Sequence, residues 1–145
     1  MGKFARALLL PMSVAVLTLA GVLSLAAQTP TQPCQGARQP KQVVELLFGR
    51  DIGRRVGVSE AAWARFVARE LTPRFPDGLT IGDAVGQWRD PTSGRMVREP
   101  TKRVEIVLPG RADDEARLDA AVQAYKREFR QRSVGVIVRS ACVSF

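Results

Sequence analysis

Apolar and polar positions along the chain fall into two blocks of one design, an alternating run followed by a stripe of helical spacing. Lys41 to Arg50 alternates, with Val44, Leu46 and Phe48 on one face and Val43, Glu45 and Leu47 on the other. That period of two predicts a strand, closed by Gly49, Arg50 and Asp51. From Ser59 to Leu71 the period changes. Trp63, Phe66, Val67 and Leu71 recur at offsets of three, four and eight, which predicts an amphipathic helix. Ser59 suits its cap, Glu60 suits its positive end, and Pro73 stops it. Arg74 to Gly78 reads as a turn in which Phe75 packs, Asp77 bonds nearby backbone and Gly78 takes a positive φ.

Leu79 to Trp88 predicts a second strand, bent or bulged near Gly82 and Gly86. Asp90 to Gly94 is a turn. Met96 resumes an extended run that Pro100 is expected to interrupt, and Arg103 to Leu108 forms the third strand. Asp113 to Gln131 predicts the second helix, with Leu118, Ala121, Val122, Tyr125 and Phe129 as its apolar stripe. Acidic residues crowd its start and basic residues its end, the signs the helix dipole favours. Ser133 to Arg139 is the last strand, with Val134, Val136 and Val138 on one face. The order strand, helix, strand, strand, helix, strand predicts an α+β fold of the ferredoxin-like, split β-α-β kind. It would have a four-stranded antiparallel sheet with both helices on one face. An antiparallel meander with flanking helices is the alternative.

The first 27 residues follow a different pattern. Lys3 and Arg6 form a basic head, Ala7 to Ala27 is uncharged and mostly apolar, and small residues end it. This is the layout of a secretory signal peptide. An uncleaved inner-membrane anchor is the alternative, because the stretch is long enough to span a bilayer. Cys34 follows Thr31, Gln32 and Pro33 rather than small residues, which argues against a lipoprotein. Residues 28–40, rich in Gln, Thr and Pro, read as a flexible tether. The expected organisation is a signal peptide over 1–27, a tether over 28–40 and one α+β domain over 41–145. Localisation follows: an exported protein, periplasmic or secreted, that meets the membrane only through its leader before cleavage.

Export changes the meaning of the two cysteines. Cys34 and Cys142 sit at opposite ends of the mature chain, and an even count in an exported protein predicts a disulfide. In the split fold the start of the first strand lies beside the end of the last, so the topology brings the same two positions together. Net charge is +8 over the chain. Without Lys3 and Arg6 it is +6, and the charges are scattered along the sequence. No nucleic-acid partner is expected. A basic surface with mild affinity for anionic envelope polymers is the plainer reading.

Candidate chemistry is narrow. The chain has no histidine, which excludes Ser-His-Asp and Cys-His machinery. Two cysteines without histidine make no zinc site. There is no calcium loop, phosphate loop or dinucleotide fingerprint, so neither metal nor cofactor is expected. The topology does single out one end of the sheet, where Arg50, Gln87, Trp88, Glu99 and Lys102 should converge. They would form a polar pocket with an aromatic wall, suited to a small polar or anionic ligand. The competing structural expectation is that Glu99 pairs with Arg50 or Lys102 while Trp88 covers the edge of the core. Three functions follow. The first is a non-catalytic binding or interaction module of the cell envelope. The second is a small envelope enzyme using Glu99 with Arg50 and Lys102, and the third a structural partner pairing through its sheet.

Several runs also carry a family resemblance: Phe48-Gly49-Arg50, Val58-Ser59-Glu60 with Trp63 and Phe66, Thr72 to Thr80, Gly86 to Arg89, Arg98-Glu99-Pro100 with Lys102, Tyr125-Lys126 with Phe129, and Ser133-Val134. Together they resemble a family of small exported bacterial proteins known only as a domain of unknown function. The resemblance spans about residues 41–145 and implies no activity, cofactor or catalytic residue.

The leader generates the first prediction. Intact-mass measurement of the protein from its native host should find the chain beginning just after Ala26 or Ala27. Recovery of the chain with Met1 to Ala26 attached would show an uncleaved anchor instead.

Overall fold

A computed structural model describes residues 33–53 and 55–145. The expected signal peptide and residues 28–32 of the expected tether lie outside the described residues. The fold begins earlier than the tether reading allows, because strand β1 runs Gln39–Gly49. A short hairpin, β2 (Asp51–Ile52) and β3 (Arg55–Val56), follows it. Helix α1 (Glu60–Phe66) continues as a π-helical turn, Val67–Leu71. Then come β4 (Thr80–Arg89), β5 (Met96–Leu108), α2 (Asp114–Phe129) and β6 (Gly135–Val143). Among the described residues, no helix is long and apolar enough to cross a membrane.

The four long strands form one sheet in the order β4-β5-β1-β6, with every neighbouring pair antiparallel. This is the expected α+β fold, and its strand order is compatible with the ferredoxin-like arrangement. Val44, Leu46 and Phe48 of β1 and Val104, Ile106 and Leu108 of β5 share one core with Trp63, Phe66, Leu118, Tyr125 and Phe129. Both helices therefore cover the same sheet face. Phe48 is the hub. Its ring lies 5.3 Å from Trp63, 6.0 Å from Phe66 and 4.7 Å from Tyr125, in tilted or edge-on geometries. Such contacts add about 0.5–1.5 kcal/mol each beyond area burial.

The opposite face is mixed, with a charged cluster set among Val43, Leu47, Val107 and Ile137. Glu45 and Glu105 stand directly opposite each other across β1 and β5, a like-charge pair that would repel. Arg139 of β6 bridges them, with Nη1 3.4 Å from Glu45 and Nη2 2.6 Å from Glu105. Arg103 approaches Glu45 at 3.7 Å.

Local signals place the helix ends. The Ser59 hydroxyl accepts from the Ala62 N–H at 3.2 Å, as a cap should. Thr72 donates to the Val67 carbonyl, five residues back, which gives the last turn its wider π form. In the Phe75 to Gly78 turn, Phe75 is buried and Gly78 takes φ 121°. Asp77 departs from expectation: it pairs with Arg111 at 2.8 Å rather than with nearby backbone.

Three strand expectations need correction. The β4 register with β5 is continuous from Thr80 to Arg89, with no bulge at Gly82 or Gly86. β5 runs unbroken through Pro100. β6 extends past Arg139 to Val143, and Cys142 pairs in register with Pro40.

That last extension closes the fold covalently. Cys34 and Cys142 form a disulfide with Cα atoms 5.5 Å apart, and neither cysteine is free. The bridge spans 108 positions. On the chain-entropy model, closing so long a loop stabilises by about 4–5 kcal/mol. Thiol labelling of the denatured, unreduced protein should find no free thiol. Replacing both cysteines with serine should lower unfolding stability by about 2–5 kcal/mol in a denaturant titration, because the loop is then open in the unfolded chain. An unchanged midpoint would show that the bridge contributes nothing.

Candidate functional site

The predicted site residues do come to one end of the sheet, but the register divides them between its two faces. The dividing point is Pro100. In an antiparallel ladder, narrow pairs exchange two N–H···O bonds. Arg50 gives its N–H to the Pro100 carbonyl at 2.9 Å, and proline has no N–H to return. The Arg50 carbonyl instead accepts from Gly57 at 2.9 Å and Val58 at 3.0 Å. So Pro100 ends the pairing of β1 rather than interrupting β5. The chain turns away there into the β2–β3 hairpin.

On the helix-covered side stand the two cations. Arg50 is buried, and its Nε and Nη2 both donate to the Val58 carbonyl, at 2.9 and 2.7 Å. Its Nη1 meets Glu60 at 2.5 Å. Lys102 is 5% exposed, and its ammonium lies 2.9 Å from the other Glu60 oxygen and in contact with Asp83. Asp83 is opposite Lys102 in the β4–β5 register, and Glu60 opens α1. Each buried cation is thus neutralised by carboxylates that reach in from the surface. The hydrogen bond to Asp83, with Glu60 beside it, raises the Lys102 pKa above its ordinary value. The Lys102 hydrogen bond and the nearby Arg50 charge hold Glu60 below the usual carboxylate range. Glu60 was absent from the predicted set. Its signal lay in the sequence, but its place in the first helical turn was taken as sufficient reason for an acid.

On the opposite side stands Glu99. It lies opposite Gly86, and a Cβ on Gly49 would come within 2.7 Å of its carboxylate. Two residues without side chains make the notch that holds it. Its Oε1 accepts from the Trp88 indole N–H and its Oε2 from the Asp51 N–H, both at 3.3 Å. The expected pairing of Glu99 with Arg50 or Lys102 is therefore not made, and among the described residues Glu99 has no ion-pair partner. Trp88 is 42% exposed and borders the notch instead of closing the core. Gln87 falls on the other face of β4, where it accepts from Arg98 at 2.7 Å. Asp51, also missed, places Oδ1 in a buried position without a hydrogen-bond partner.

Tyr125 ties this end to the core. Its hydroxyl donates to the Gly49 carbonyl at 2.9 Å, and burial pushes its pKa far up. Gln131 of the segment after α2 donates to the Asp51 carbonyl at 2.7 Å. Among the described residues, no group of three or more His, Cys, Asp or Glu side chains is placed to hold a metal.

This geometry predicts the outcome of Arg50→Ala. The substitution takes two donors from the Val58 carbonyl and leaves Glu60 with Lys102 alone. It should destabilise the fold by about 1–3 kcal/mol, the usual loss when a buried hydrogen-bonding group is left unpaired. Glu99→Ala at the notch should change stability by no more than about 0.5 kcal/mol, as surface substitutions do. Urea titration of the two variants beside the parent checks the contrast. Equal losses would mean that the two faces are coupled.

No curated protein matches the chain. Among solved structures, a phage SAM lyase in complex with S-methyl-5′-thioadenosine is 18% identical with a TM-score of 0.56, covering 71% of this chain and 90% of that one. A phage SAM lyase in the apo state is 16% identical with a TM-score of 0.53, covering 73% of this chain and 92% of that one. CutA from Synechococcus elongatus is 11% identical with a TM-score of 0.47, covering 71% and 78%. At these identities the likeness to the lyase is one of fold alone. The family described as "Protein of unknown function (DUF3574)" matches residues 43–145, and the chain belongs to that family.

Proposed function

We propose that the protein is an exported, non-catalytic binding module of the cell envelope that takes a small polar ligand at the Glu99–Trp88 notch. The observation that carries this is the state of Glu99. Two cations lie at the same end of the sheet, yet both are held by Glu60, Asp83 and the Val58 carbonyl. Glu99 is partly buried and satisfied by two long neutral N–H contacts. A carboxylate so placed beside an exposed indole favours a ligand that brings donors: an amine, a cation or a hydroxyl-rich ring. The indole supplies an apolar wall and, for a cation, the attraction of its π face. With Arg50 and Lys102 already neutralised, the anionic half of the expected ligand class loses its support. The catalytic alternative loses its assembly, since Glu99 shares no contact with either cation.

The disulfide and the leader pattern support export and with it the envelope setting. The phage lyase is in complex with S-methyl-5′-thioadenosine, and that nucleoside belongs among the probes as a neutral comparison.

Trp88 reports on its own site. Putrescine, glucosamine and S-methyl-5′-thioadenosine would be titrated while indole fluorescence is followed, with Trp88→Phe assigning the signal. A saturable response to an amine or amino sugar is expected, weakened by about tenfold or more in Glu99→Gln, since a hydrogen bond to a charged group is worth about 1.5–3 kcal/mol. Gly49→Ala should weaken it similarly with little loss of stability, because the new methyl displaces only the flexible end of Glu99. No response to any probe, or one unchanged in both variants, would reject the notch as the site.

A further inference from the structure

The net positive charge of this chain looks scattered in sequence but is gathered in space. At one end of the molecule the ion pairs close: Arg111 with Asp77, Arg117 with Asp113 and Asp114, and Arg74 with Glu70. At the other end three connections meet: the β2–β3 hairpin, the β4–β5 turn and the segment from α2 to β6. The Gln131 bond to the Asp51 carbonyl joins the first and third. Asp90, held below the ordinary carboxylate range by the Ser93 and Thr92 N–H groups, also feels Arg132, which brings the second and third together. Arg55, Arg95, Arg130 and Arg132 stand on these connections. All four are exposed, and none is in an ion pair among the described residues. Between them lie apolar side chains that the fold does not cover, Ile52 at 40% and Met96 at 51% exposure.

We infer that this end of the molecule docks on an anionic phospholipid surface. Unpaired arginines supply long-range attraction to a negative headgroup layer, at about fivefold in affinity per charge. Ile52, beside the β2–β3 turn, and Met96, the first residue of β5, supply what a soluble polyanion would not use, exposed apolar groups for the boundary between headgroups and acyl chains. Arginine suits such a site further, because its stem can lie along apolar surface while the guanidinium stays at the headgroups. The inference does not rest on the ligand notch, and its test leaves Trp88 and Glu99 intact.

Residues 28–145 contain the whole compact unit Gln32–Phe145 and serve as the test protein, with the disulfide intact. Co-flotation would be measured with vesicles of phosphatidylcholine alone and of phosphatidylcholine with phosphatidylglycerol. Binding is expected only to the anionic vesicles, and it should weaken as salt is raised. Combined Arg95→Gln, Arg130→Gln and Arg132→Gln should lower it about a hundredfold, at about fivefold per charge. Combined Arg38→Gln, Lys41→Gln and Arg111→Gln removes equal charge from the other end and should change it by less than about threefold. Met96→Ser with Ile52→Ser should release most of the protein that remains bound in high salt. Equal losses in the two charge triples would overturn the inference, since attraction would then be diffuse. So would absence of binding to anionic vesicles. Retention on immobilised polyphosphate that matches vesicle binding, with both unaffected by the two serine changes, would point to a soluble polyanion and overturn the lipid reading.

Discussion

Pro100 has no N–H, and the place where β1 leaves the sheet follows from that one missing donor. Opposite it, the Arg50 carbonyl turns to Gly57 and Val58, which opens the β2–β3 hairpin and aims the chain at the first turn of α1. Arg50 lands beside the Val58 carbonyl and Glu60 on one side of the sheet, while Asp51 offers its N–H to Glu99 on the other. Tyr125 holds the last peptide of β1 from below through the Gly49 carbonyl. The departure is thus fixed at three successive residues, each by a different partner. A proline within a strand is tolerated where the ladder has no bond to lose on its side, and that condition is met only because β1 stops there.

Burying two cations near this corner is costly unless each is paired and hydrogen-bonded. The fold meets the condition economically. Glu60 uses both oxygens, one for Arg50 and one for Lys102, and Asp83 completes Lys102 from the neighbouring strand. Both carboxylates are largely exposed, so water shares in solvating the cluster and screens it. The arrangement fixes geometry more than it adds stability: α1, β1, β4 and β5 are tied at one point, in one register. It also explains why Glu99 is left alone. The register faces it away from both cations, and the glycines at 49 and 86 leave it room without offering it a charge.

Much of the fold was legible in the sequence because its signals are periodic and local. The alternation of Val44, Leu46 and Phe48 and the stripe through Trp63, Phe66 and Leu71 name the core directly, and the core contains them all. The cysteine pairing was legible because the topology and the leader pattern pointed to the same pair. The site was legible only in part. Strand order brings residues 50, 88, 99 and 102 to one end, and that much follows from topology. Which face each occupies depends on register, and register depends on whether Pro100 breaks β5 or ends β1. Reading a break at Pro100 discards the parity that separates Glu99 from Lys102. Glu60 was hidden for another reason. An acid in a first helical turn has an adequate local explanation, and only three-dimensional contact shows it serving two cations from other strands.

Charge distribution has the same character. Counted along the chain, basic residues form no run, and the sequence reading took them as a diffuse surface. The structure sorts them by what each can reach. At one end Asp113 and Asp114 at the start of α2 pair with Arg117 one turn on, and Asp77 of the turn before β4 reaches Arg111. The opposite end collects a hairpin, a strand turn and a helix terminus. Three of the acids there are already committed, Asp90 to its own turn and Glu60 and Asp83 to the buried cations, while Glu99 and Asp51 sit in the notch and pair with none of Arg55, Arg95, Arg130 and Arg132. The corner cluster is neutral as a set, two cations with two carboxylates, so the sign of that end is set by the exposed arginines around it. A field of one sign at one pole orients the molecule toward a negative surface before contact is made.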